Sequence, residues 1–296
     1  MSSALATALP WESLSSNSSP GPRLLPQPVR VAGVTSASEL VCPEPETVSC
    51  GVRELDALTG GLPRGCLTEI CGGASSGRTS LLLAALAAAT RRREVCVLVD
   101  TTDAFDPASG AAAGIVLERL LWVRCRGTAR KFAGQHGAVR QEYPHPSARQ
   151  GVLADAVDQT LRATDLLLQS GGFGLVAVDL GDVPAEVARR IPLASWFRFR
   201  RTVENTPAVL LVVEQQPIAG SCSSLLVKME REAAKISSEL SALSSQNLIT
   251  TNSTLPSHAQ LLRGMQVTAQ VVRSRLARKP VASAQTSFST RTLWAG

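Results

Sequence analysis

The chain has 296 residues, 44% hydrophobic and 18% charged, which permits a large buried core and excludes a wholly disordered polyelectrolyte. Its longest uninterrupted apolar run, Leu81 to Ala89, is nine residues, and the N-terminus lacks a basic segment leading into an apolar stretch. A membrane span needs about 20 such residues, so neither a transmembrane helix nor a secretory signal is expected. The net charge of +6 comes entirely from Gln260 onward, where Arg263, Arg273, Arg275, Arg278, Lys279 and Arg291 face no acid. Basic surface of this kind suits phosphates, of nucleotide or nucleic acid, or forms a solvated face.

In chain order, residues 1–46 are rich in Ser and Pro and read as a flexible leader ahead of a folded core over 47–290. Seven cysteines, odd in number and irregularly spaced, fit a reduced, cytoplasmic chain; Cys66 and Cys71 lack a second ligand pair and read as buried small hydrophobes. Short apolar, β-branched runs at 67–71, 95–100, 120–125, 175–179 and 208–214 alternate with helical stretches. That rhythm predicts an α/β fold: a mostly parallel twisted sheet with helices on both faces and ligands at the carboxyl ends of its strands. A block from Glu118 to Arg149 holds seven basic residues against two acidic ones. Trp196, Phe199 and Val203 share one helical face, while the interleaved Phe197, Arg198, Arg200 and Arg201 also fit a single-strand-binding strip; the i, i+3, i+7 spacing favours the helix. Residues 236–257 are Ser-, Thr- and Asn-rich and read as a flexible connection. Strands are expected over 265–276 and 281–289, antiparallel around a basic turn, with a short tail at 291–296.

The chemistry concentrates in Gly72-Gly73-Ala74-Ser75-Ser76-Gly77-Arg78-Thr79-Ser80. Its spacing is that of G-x-x-x-x-G-K-[ST], between a predicted strand and a predicted helix. There the glycines let successive N–H groups turn inward, and the helix N-terminus adds partial positive charge, forming an anion nest. Thr79 would place its hydroxyl on Mg²⁺. Arg78 departs from the pattern: a guanidinium is planar and bidentate, so it can hold phosphate yet misplace the charge required in phosphoryl transfer. Asp179 ends an apolar strand as a Walker-B aspartate would and is the candidate acid that helps hold the Mg²⁺.

Together with the phosphate loop, Thr59-Gly60-Gly61-Leu62-Pro63-Arg64-Gly65, Glu69-Ile70, Val99-Asp100, Phe105-Asp106-Pro107, Val178-Asp179, Glu214-Gln215 and Val272-Arg273-Ser274-Arg275-Leu276-Ala277 resemble the bacterial RecA recombinases. The similarity runs from about Val48 to Phe288. It is closer still to the truncated ImuA-type paralogues, which accompany translesion polymerases. The resemblance implies a RecA-like core that uses ATP and Mg²⁺, with Gly72, Ser75, Ser76, Gly77, Arg78, Thr79 and Ser80 around the phosphates and Asp106 beside the adenine. It also implies Gln215 as sensor of the γ-phosphate. Arg273 and Arg275 match lysines that reach the nucleotide of a neighbouring subunit; alternatively they line one exposed strand face.

Two departures from the family bear on turnover. The glutamate that activates water in the family lies two residues beyond a strand-ending aspartate; counted from Asp100, that position is Thr102. Only 34 residues separate Asp179 from Glu214, and only Gln216 to Ser224 precede Leu225, so both DNA loops are cut down. These features lead to an ATP-binding accessory of DNA repair and the DNA-damage (SOS) response, with weak or absent hydrolysis. Its expected partners are single-stranded DNA, repair or translesion proteins, and itself or a RecA-type recombinase, without a membrane. An active DNA-dependent ATPase recombinase and a scaffold that binds no nucleotide are the alternatives.

Overall fold

The computed structural model describes residues 45–125, 146–236, 262–275 and 285–291. These belong to one compact unit, Glu44–Gly296. The expected leader lies outside the described residues apart from its last two, as do the basic turn near Lys279, the tail after Arg291 and nearly all of the 236–257 connection. In chain order the elements are β1 (Thr47–Val48), α1 (Arg53–Thr59), β2 (Leu62–Pro63), β3 (Cys66–Gly72), α2 (Arg78–Arg91), β4 (Cys96–Asp100), α3 (Pro107–Ala112) and β5 (Leu120–Arg124). There follow α4 (Pro146–Ser170), β6 (Leu175–Asp179), α5 (Ala185–Ala188), α6 (Leu193–Val203), β7 (Val209–Glu214), β8 (Leu225–Ile236), β9 (Leu262–Ser274) and β10 (Gln285–Arg291).

Among the described residues, eight strands form one sheet in the order β10-β9-β8-β3-β7-β6-β4-β5. The six from β8 to β5 run parallel, and β9 and β10 continue the sheet antiparallel. Successive side chains of a strand point to opposite faces, and both faces are covered. Ile70, Leu98 and Leu211 pack with Leu55 of α1 and Leu81, Leu82 and Leu86 of α2. Leu67, Val97, Val176 and Leu210 pack on the other side with Val157 of α4 and Trp196 and Phe199 of α6.

Helix α6 follows its predicted face, burying Trp196, Phe199 and Val203. The rings of Trp196 and Phe199 meet edge-on at 5.8 Å, and truncating either in such a core costs about 3–5 kcal/mol. Arg198 pairs with Asp165 of α4 at 2.9 Å, while Phe197 is half exposed.

The predicted central strands fall within one residue of β3 to β7. At the C-terminal side the boundaries differ. Ile236 ends β8 rather than opening the Ser-rich connection, β9 starts at Leu262, and β10 covers Gln285–Arg291. Strand β8 alternates buried Met229 with exposed Lys228 and Glu230, because among the described residues one side of it lacks the cover the central strands have. No helix among the described residues is long and apolar enough to cross a membrane.

Candidate nucleotide-binding site

Parallel pairing brings the carboxyl ends of β3, β4, β6 and β7 to one edge, with Asp100 of β4 in register with Asp179 of β6, and Asp179 with Val213 of β7. The phosphate loop leaves β3 at this edge. Gly72 is required by close approach: a Cβ there would lie 2.4 Å from the Met229 carbonyl oxygen and 2.5 Å from Ser76 Oγ. Gly77 is required by conformation, at φ 88°, and a Cβ would also meet Val267 of β9 at 2.9 Å. The C-terminal strands thus form the floor under the loop. Ser75 is left-handed too, at φ 58°.

Helix α2 begins at Arg78 with no side-chain cap, and its first ladder bond runs from Leu81 N–H to the Gly77 carbonyl at 3.0 Å. First-turn N–H groups have no intrahelical acceptor, which suits an anion. Ser76 Oγ is buried without a hydrogen-bond partner, an orphaned polar atom inside the nest. These features fit a polyphosphate.

A cavity of about 160 Å³ opens beside the loop, lined by Arg78, Thr79, Asp179, Gly181, Asp182 and Phe105 among others. The structure therefore gathers three of the predicted residues, Arg78, Thr79 and Asp179, around one space. Gln215 joins them through the Gly181 carbonyl, which accepts from both Arg78 Nη1 and Gln215 Nε2 at 3.2 Å. Asp179 Oδ1 accepts the Gly181 N–H at 2.8 Å. Burial pushes the Asp179 carboxyl up to about 6; Asp100 and Asp182 push the same way, while the Gly181 N–H and Arg78 oppose. Thr79 and Asp179 are the residues that would hold Mg²⁺, with the Arg78 guanidinium in the same cavity.

Other predicted residues fall elsewhere. Asp106 caps α3, accepting from the Ser109 hydroxyl at 2.6 Å and from the Ser109 and Ala108 N–H groups. Those bonds, led by the Ser109 hydroxyl, lower its pKa. Thr102 does not line the cavity. Asp103, the nearest acid in its loop, is gripped by Arg124 at 2.5 and 2.8 Å. Asp100 accepts from the Ala104 and Phe105 N–H groups and from Trp122 Nε1, so it braces the same loop. Arg273 donates to the Gly220 carbonyl and, at 3.1 Å, to Ser223 Oγ. Arg275 follows the last residue of β9 and continues its pairing, its N–H donating to the Ser224 carbonyl at 2.8 Å, so the two arginines keep the alternate spacing of one strand face, with Arg273 half-buried and Arg275 exposed.

Sequence reasoning missed Asp182 in the cavity wall and the pairing of Glu69 with Glu214. Glu69 Oε1 accepts from Ala219 N–H at 2.6 Å and Ile218 N–H at 3.0 Å, and Glu214 Oε1 from Ile218 N–H at 3.2 Å. This ties the short connection after β7 onto the sheet. Burial pushes the Glu214 carboxyl well above its ordinary range, and the hydrogen bond with Glu69 adds to the rise.

Residues 35–127 match the RecA N-terminal domain family. The curated proteins named RecA in Brucella canis, Brucella suis and Brucella melitensis are each 33% identical to this chain over 138 residues. That stretch is 46% of this chain and 30% of each relative, so the similarity spans less than a third of the relatives' length.

Proposed function

We propose, from the premise that this is a RecA-family chain, that it binds ATP at the loop after β3 and acts as an accessory of DNA repair and recombination. Hydrolysis is weak or absent. The observation that carries this reading is the contrast within one site: the phosphate nest is intact, while Thr102 stands where the family has its water-activating acid and Asp103 is bound to Arg124. Phosphoryl transfer needs a group to orient the attacking water as well as a cradle for the phosphates. Nucleotide then works as an assembly ligand, through differential affinity for free and assembled states. Arg273 and Arg275 are the proposed contacts to a neighbouring subunit's nucleotide, and Asp106 the proposed contact to adenine. The DNA-damage response, with translesion or recombinase proteins and single-stranded DNA as partners, is the proposed setting.

The test is ATP titration calorimetry, run with phosphate-release assays with and without single-stranded DNA, on wild type and Arg78→Ala. Wild type binds ATP and releases no phosphate above background. Arg78→Ala loses at least about tenfold in affinity, as expected when a charge-assisted phosphate contact is deleted. DNA-stimulated release would favour the recombinase alternative; absence of binding would leave a scaffold.

A further inference from the structure

Among the described residues that line the cavity, Arg78 is the one cation. Its residue is 8% exposed, so the guanidinium sits inside the site rather than at its mouth. It is also anchored, because Nη1 donates to the Gly181 carbonyl, the acceptor it shares with Gln215. A Cβ on Gly181 would lie 2.9 Å from Asp179 Oδ1 and 3.7 Å from Arg78 Nη1, so carboxylate and guanidinium flank the same glycine. Thr79 lines the same space. The fixed cation thus shares the cavity with the hydroxyl and the carboxylate that would flank a magnesium ion.

Building on the nucleotide-binding reading above, we propose that Arg78 takes over the charge-neutralising role of the divalent ion, so that this site binds the triphosphate as free nucleotide, independently of Mg²⁺. A divalent ion contributes to such sites by bridging β- and γ-phosphate oxygens and neutralising their charge. A guanidinium offers five N–H donors in a rigid fork matched to phosphate oxygens. With one donor on Gly181, the rest remain for the ligand.

A lysine ammonium is a compact charge on a flexible stem and can leave the ion's place open. The longer arginine, pinned across the cavity, presents the same phosphate oxygens with a positive charge and repels a second cation arriving beside it. The two cations then compete for Asp179 and for the ligand. Gln215 gains from the arrangement as well, since it sits on the carbonyl that fixes Arg78 and can meet a phosphate arriving there.

The experiment measures ATP affinity of the full chain by titration calorimetry in excess magnesium and in excess EDTA, for wild type and Arg78→Lys. Wild-type affinity is expected to differ by less than about threefold between the two conditions, while Arg78→Lys becomes at least about tenfold weaker in EDTA. A wild-type loss of about tenfold or more on chelation would overturn the proposal and leave the nucleotide-binding reading standing. An Arg78→Lys protein indifferent to magnesium would overturn the assignment to Arg78. Absence of wild-type binding in both conditions would remove the nucleotide-binding reading and this proposal with it.

Discussion

The loops after β3 and β4 lie at the same edge of the sheet and are built in opposite ways. The first keeps a backbone built for a ligand, with left-handed Ser75 and Gly77, an uncapped helix start and a buried hydroxyl lacking a partner. In the second, the polar groups are spent on the protein itself: Asp100 holds the Ala104 and Phe105 N–H groups, and Asp103 holds Arg124. A buried polar group without a partner calls for an explanation, and at Ser76 the uncapped helix start beside it supplies one in an anion; the acids of the second loop are already engaged. One loop keeps the groups that would suit a phosphate, and the other spends its acids on the fold.

The largest test of this contrast rebuilds the second loop. Thr102→Glu combined with Arg78→Lys supplies both a water-orienting acid and a flexible cation. A positioned general base is worth about 10²–10⁴-fold, or about 3–5 kcal/mol of barrier. Phosphate release by the double variant is expected to rise by about that factor, and by much less in either single variant. If wild type already matches the double variant, the loops do not differ in the way described.

How much of this was legible in the sequence follows from what covers each element. Strands β3 to β7 are buried on both faces, so each reads as a continuous apolar run. Strand β8 carries exposed Lys228, Glu230, Arg231 and Glu232 and offers no such run. The phosphate loop was readable because its geometry is local, set by glycines between a strand and a helix. The far wall of the cavity was not, since Ala104, Asp182 and Val213 come from three different strand ends. Nor could spacing say that Arg78 would land on a carbonyl 103 residues away, or that Asp103 would be taken by an arginine 21 residues on.

A test of intermediate size concerns the end of β7, where Glu214 Oε1, like the Asp100 carboxylate, accepts from a backbone N–H of the following connection. Its folded pKa stands above the ordinary 4.5, so the folded chain keeps a proton that the unfolded chain releases. The stability this group contributes is fully present below about pH 4.5 and is lost as pH rises toward the folded pKa, by at most about 1.4 kcal/mol per pH unit. Glu214→Gln retains a donor toward Glu69 without the titration. Urea midpoints measured from pH 4 to 8 should therefore diverge in favour of the variant as pH rises; parallel curves would mean that Glu214 is ionised in the fold.

The smallest expected effect asks whether the second loop is rewritten or only masked. Arg124→Ala removes the partner of Asp103 and the guanidinium stacked 4.6 Å over the Trp122 ring. The pair lies at the surface, where ion pairs contribute little, so thermal unfolding should stay close to wild type. Phosphate release should not change either. Asp103 sits one residue beyond the required position, at φ 59°, in a turn that Asp100 holds through Ala104 and Phe105, and releasing its partner leaves that turn in place. A rise in phosphate release would mean that a working acid lies under the ion pair, and the contrast between the two loops would then be one of occupancy instead of construction.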